Sequence, residues 1–165
     1  YAAAAAELGA SLVRRGIELV YGGGKVGLMG IVADTVLNSG GRVIGVIPEH
    51  MVSRELAHSG VTELEVTGTM SERKLRMSEL SDGFVALPGG FGTLEEFAEV
   101  LSWAQIGLHQ KPVGFLNVDG FYEPLLRYFD HMVSEGFVHA RSRELVICHK
   151  SSDALLAALE RGERP

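Results

Sequence analysis

Two acidic and two basic side chains have the types and spacing to do chemistry. Glu95 and Glu96 directly follow the glycine-rich run Pro88-Gly89-Gly90-Phe91-Gly92-Thr93-Leu94, and Arg73 and Lys74 stand in the charged run Ser71-Glu72-Arg73-Lys74-Leu75-Arg76. Glycines at 89, 90 and 92 let backbone N–H groups point into one concavity, and Thr93 is expected to open a helix whose N-terminus favours an anion. Two carboxylates in that first turn would suit a site that must also stabilise positive charge. The same letters carry a second reading, because Thr93 and Glu96 have the spacing of a capping box, in which Glu96 reaches back to the Thr93 N–H. The cations are equally open: Arg73, Lys74 and Arg76 could grip a phosphate, or form a solvated face paired with Glu72 and Glu79.

A second glycine cluster, Gly22-Gly23-Gly24, lies in a G-x-G-x-x-G pattern that ends at Gly27, with Glu49 further on. It admits a phosphate or ribose contact, a tight turn with close helix packing, or a dinucleotide fingerprint. A P-loop is excluded, because Val26 follows Lys25 where Ser or Thr is needed. The six histidines show no metal-binding spacing, the five aspartates are scattered, and no G-x-S-x-G elbow occurs. No metal site and no cofactor are expected. Cys148, alone in an apolar run, reads as an inert core thiol.

The elements that must position these residues alternate along the chain. Strands are expected over Ile17–Tyr21, Arg42–Ile47, Val61–Val66, Gly83–Leu87, Pro112–Asn117 and Leu145–Cys148; several are continuous Val/Ile/Leu runs, the mark of parallel strands buried on both faces. Helices are expected over Tyr1–Arg15, Leu28–Ser39, Met70–Ser81, Leu94–Leu108, Phe121–Glu135 and Ser152–Arg161. Gly16 and Gly40-Gly41 stop two of them, and Thr69 with Glu72 spells a capping box. The pattern predicts a single α/β domain over residues 1–165: a Rossmann-like open parallel sheet with helices on both faces. Both glycine loops fall after strands, where such sheets bind ligands. The helix at Leu94–Leu108 carries more apolar residues than one stripe needs, Val100, Trp103 and Ile106 beyond Leu94, Phe97, Leu101, Ala104 and Leu108, which predicts a homodimer contact.

The bulk composition agrees. The chain has 165 residues, 46% apolar and 22% charged, within the ordinary globular range. A net charge of −6 argues against a nucleic-acid partner, and no apolar run is long enough to span a membrane. One cysteine suits a cytoplasmic location. The chain opens at Tyr1 and runs at once into a helical pattern, so a first strand is expected upstream.

The run Pro88–Glu96 has the PGGxGTxxE pattern, and Thr69-Met70-Ser71-Glu72-Arg73-Lys74 resembles its companion motif. With Val20–Gly24 and Val46-Ile47-Pro48-Glu49 they resemble the LONELY GUY family of cytokinin-activating phosphoribohydrolases, over about Tyr1 to Val138. Ser71 stands where the family more usually has His. Older labels called such proteins lysine decarboxylases, but no residue here argues for pyridoxal phosphate chemistry. The resemblance implies hydrolysis of the N-glycosidic bond of an adenosine 5′-monophosphate, often N6-prenylated, to base and ribose 5-phosphate, with no cofactor. It assigns Arg73 and Glu96 as the catalytic pair. It implies substrate contacts from Lys74, Glu55 and Gly90–Glu96, that is Gly90, Phe91, Gly92, Thr93, Leu94 and Glu95. Gly89 and the loop Gly22, Gly23 and Gly24 would add backbone donors for the 5′-phosphate. It also points to a homodimer.

Overall fold

The computed structural model describes residues 1–52 and 57–162, in two compact units, Tyr1–Ser81 and Asp82–Pro165. All six expected strands form, and they pair with one another in parallel.

In the first unit the order is β1 (Leu19–Tyr21), β2 (Val43–Pro48), β3 (Glu63–Thr67), with Leu19 opposite Val43 and Ile44 opposite Glu63. Every residue of β2 is buried, as its unbroken apolar run requires. Strand β3 has no buried residue, and its Glu63 and Glu65 take Arg42 and Arg76. Helices α1 (Ala2–Arg14) and α2 (Gly27–Asn38) pack together closely: a Cβ on Gly9 would come within 2.9 Å of Thr35. Both helices stop where expected, at Gly16 and Gly40, each with positive φ. A short α3 (Glu49–Val52) follows β2, and α4 (Met70–Leu80) follows β3.

In the second unit the order is β4 (Phe84–Ala86), β5 (Val113–Leu116), β6 (Val146–His149). Helix α5 (Phe91–Gln105) follows β4, α6 (Glu123–Ser134) and α7 (Ala140–Arg143) lie between β5 and β6, and α8 (Ser152–Arg161) comes last. Phe115 of β5 is the centre of the core, its ring stacked on Phe97 at 3.8 Å and on Tyr122 at 4.0 Å between centroids. Such pairs add about 0.5–1.5 kcal/mol each beyond area burial.

Three expectations need correction. The short α3, α7 and a 3-10 turn at Val118–Gly120 were not anticipated, because each is too short to show a period. Helix α5 begins at Phe91 instead of near Thr93, and it ends at Gln105, with Gly107 at φ +81, so Ile106 and Leu108 lie beyond it. Its apolar stripe is also less buried than expected: Phe97 alone is fully buried, Val100 and Leu101 are half-buried against the core, and Leu94 is exposed.

Candidate active site

Arg73 is the best-defined feature of the first unit. It lies at the start of α4, whose N-terminus forms the expected capping box: Thr69 Oγ1 accepts from the Glu72 N–H at 3.1 Å, and Glu72 Oε2 accepts from the Thr69 N–H at 3.1 Å. That geometry turns Arg73 inward. Its side chain is 7% exposed, Nε donates to the Val46 carbonyl of β2 at 3.1 Å, and Nη1 reaches the Met70 sulfur at 3.4 Å. The guanidinium lies so close over Gly22 that a Cβ there would overlap it. Here Gly22 is needed for space. Gly23 is needed for its backbone, at φ +73.

The two readings of the basic run divide between its members. Arg76 belongs to the solvated face: it holds Glu65 bidentately, at 2.6 and 3.0 Å, and Glu79 at 3.3 Å. The Glu65 guanidinium partner keeps that carboxyl below the usual range. Glu72 serves the backbone, its Oε2 accepting from the N–H groups of Gly68 and Thr69. Arg73 is the member that turns to the glycine loop. Lys74 is half-buried and Ser71 exposed. Glu55 lies outside the described residues.

The second loop is anchored from below. Tyr122 donates its hydroxyl to the Leu87 carbonyl at 2.5 Å, just ahead of the buried Pro88. Burial pushes the Tyr122 phenol up to about 12. Asn117, itself buried, accepts from the Tyr122 N–H at 2.8 Å and donates to Glu123 at 2.9 Å. Sequence reasoning missed Asn117 and Tyr122; the signal was a polar Asn closing an apolar strand. Gly89 must lack a Cβ because the Thr93 side chain folds over it, whereas a Cβ on Gly90 or Gly92 would meet nothing within 4 Å.

The helix cap sets aside the capping-box reading of Glu96. The N-cap of α5 is Gly90, in extended conformation, and no side chain caps it. Thr93 is the third helical residue, so the expected Thr93–Glu96 capping box does not form, and neither Glu95 nor Glu96 lies in the first turn. The turn that faces the loop thus presents backbone donors without an acidic side chain among its first residues. Phe91 is 93% exposed, Glu95 exposed and Glu96 half-buried. Burial, and then Glu123, pushes the Cys148 thiol up.

Parallel strands with glycine loops at their carboxyl ends and an inward arginine over one loop place the chain among Rossmann-like α/β proteins. Residues 29–159 match the family described as "Possible lysine decarboxylase". The chain is 51% identical over 160 residues to the cytokinin riboside 5′-monophosphate phosphoribohydrolase LOG of Oryza sativa subsp. japonica, covering 97% of this chain and 66% of that protein. It is 49% identical over 160 residues to a cytokinin riboside 5′-monophosphate phosphoribohydrolase of Arabidopsis thaliana, covering 97% of this chain and 75% of that one. The chain belongs to this family, the LONELY GUY proteins whose paired motifs it carries. Among solved structures, the molybdenum cofactor carrier protein of Chlamydomonas reinhardtii superposes with a TM-score of 0.73 at 24% identity, over 98% of this chain and 86% of that one. That likeness is one of fold alone.

Proposed function

We propose that this chain hydrolyses the N-glycosidic bond of an adenosine 5′-monophosphate, plain or N6-prenylated, giving the free base (a cytokinin when prenylated) and ribose 5-phosphate. The observation that carries the reading is Arg73, a guanidinium withdrawn from water and laid against the glycine loop at Gly22. The identity of about one half to relatives named for this reaction supports it.

In this reading the 5′-phosphate rests on backbone N–H groups of Gly90, Phe91, Gly92, Thr93 and Leu94 at the start of α5, with Gly89, Glu95 and the loop Gly22, Gly23 and Gly24 completing the contacts. Lys74 adds a cation, and Glu55 a further substrate contact. As the bond from C1′ to the base nitrogen breaks, the ribose gains oxocarbenium character. The Glu96 carboxylate stabilises it, and takes a proton from the water whose oxygen bonds to C1′. Arg73 supports the charge that the departing purine carries until it is protonated. The reaction consumes one water and needs no redox partner, metal or cofactor.

Residues 1–165 are read as a single nucleotide-binding phosphoribohydrolase domain. The enzyme works as a homodimer in the cytoplasm, without a nucleic-acid or membrane partner. Among the described residues no helix is long and apolar enough to cross a membrane. The exposed Leu94, Ile106 and Leu108, on and just past α5, supply an apolar face for the second copy.

The test is incubation with AMP and with isopentenyl-AMP, following base and ribose 5-phosphate by chromatography. Stoichiometric release of both products is expected. Tight binding of either nucleotide with no cleavage would replace the hydrolase with a carrier on the same fold.

A further inference from the structure

We infer that His58 is a positioning residue for this reaction, acting with Asp34 to hold the Gly22–Gly24 loop under Arg73; the inference rests on the phosphoribohydrolase reading. Three contacts converge on this histidine and a fourth on its neighbour, all within the first unit. Its backbone N–H donates to the Gly23 carbonyl at 2.8 Å, and its neighbour Ala57 bridges Gly24 in antiparallel fashion. The ring Nδ1 accepts from the Gly60 N–H at 3.1 Å, so the ring proton sits on Nε2, which donates to Asp34 Oδ1 at 2.9 Å. The side chain of His58 is only 12% exposed.

The placement of the partners gives this cluster its meaning. Asp34 lies on α2, the helix that leaves the glycine loop, while Gly23 and Gly24 belong to the loop itself. His58 therefore ties the loop to the helix that follows it. A run of three glycines has little conformational preference of its own, and Gly23 sits at φ +73, so its path must be imposed by such ties. Gly22, next in the run, has the Arg73 guanidinium directly against it. A shift of the loop is thus a shift of the floor on which Arg73 rests. Neither His58 nor Asp34 is placed against substrate or reacting atoms, so their effect passes through the loop.

The experiment uses the full chain with His58→Ala, His58→Gln, Asp34→Ala and the double variant His58→Ala/Asp34→Ala. His58→Ala and Asp34→Ala should each lower kcat/KM by about 10- to 100-fold, mostly through kcat, because a misplaced group costs transition-state contacts. The double variant should be no worse than the more damaging single one, since both remove one coupling. His58→Gln, which keeps a donor toward Asp34, should recover most of the activity. Hydrogen exchange supplies a readout independent of turnover: the amide of residue 58 should exchange faster in both alanine variants while amides of β5 keep their protection. If His58→Ala does not fold, His58→Gln against Asp34→Ala carries the same comparison. Activity within twofold of wild type in the single variants, additive losses, or unchanged exchange at residue 58 would each overturn the positioning role. Wild-type chain that cleaves no nucleotide, with the exchange difference intact, would overturn the phosphoribohydrolase reading instead.

Discussion

The Arg73 guanidinium occupies the space that a side chain at Gly22 would need. Gly22→Ala must therefore move either the loop or the arginine. Overpacking of this kind costs about 1–3 kcal/mol. The loss of activity should be larger, about 100-fold in kcat/KM, because a displaced Arg73 weakens transition-state contacts. Steady-state kinetics beside thermal melts would separate the two effects.

Gly90 and Gly92 offer the opposite case, since a Cβ on either meets open space. Gly92 is the second residue of α5, where alanine is the better helix former by up to about 1 kcal/mol. Gly92→Ala should raise the melting temperature and yet reduce turnover, because the phosphate must approach the backbone where the methyl now stands. Retained activity with a higher melting temperature would remove the phosphate from this turn.

Glu96→Gln keeps the size of the side chain and removes its charge. Because Gly90 caps α5 and Glu96 lies past the first turn, stability should change by no more than about 0.5 kcal/mol. Turnover should fall by orders of magnitude. A variant that melts early and still turns over would restore a structural role for this carboxylate.

Tyr122 links stability to alkaline pH. An unfolded tyrosine loses its proton near pH 10, whereas buried Tyr122 keeps it to about 12. Between those values the folded chain holds more protons than the unfolded one, so this contribution is full below about pH 10 and declines toward 12. Tyr21, raised further by burial and by Asp34, extends the decline. Tyr122→Phe should flatten the curve of stability against pH in that window. It should also cost about 1–2 kcal/mol near neutrality, since the Leu87 carbonyl loses its donor.

Ile106 is 67% exposed, so a charge there does little to a single chain. In the proposed homodimer, Ile106→Glu should lower both the mass seen by light scattering and the activity. A wild-type mass near 17.8 kDa with full activity would exclude the dimer. Trp103 on α5 offers a fluorescence probe of the same contact.

The order of strands and helices was legible because long apolar runs and helical periods are local signals. All six strands lie within a residue or two of their expected positions. The start of α5 was not, because Thr93 has ideal cap spacing and only the extended backbone at Gly90 moves the cap one turn earlier. Nor could the run Arg73-Lys74-Leu75-Arg76 tell which cation turns inward. That depends on Gly22 leaving room for one and on Glu65 of β3 claiming another, both distant in the chain. Asn117 and Tyr122 stayed hidden for the same reason: their importance comes from each other and from Leu87, not from any motif.

Each strand in the two ladders pairs with the one made just before or after it, β1-β2-β3 and β4-β5-β6. Among the described residues no strand has to be threaded between two others already joined. The loop that closes each parallel pair is a single crossover, so the entropy of closure stays small for a parallel arrangement. A chain emerging from the ribosome can complete the first ladder before the second has been synthesised. The Gly22–Arg73 contact lies wholly within the first unit, on residues that can all have left the exit tunnel while β6 is still being made.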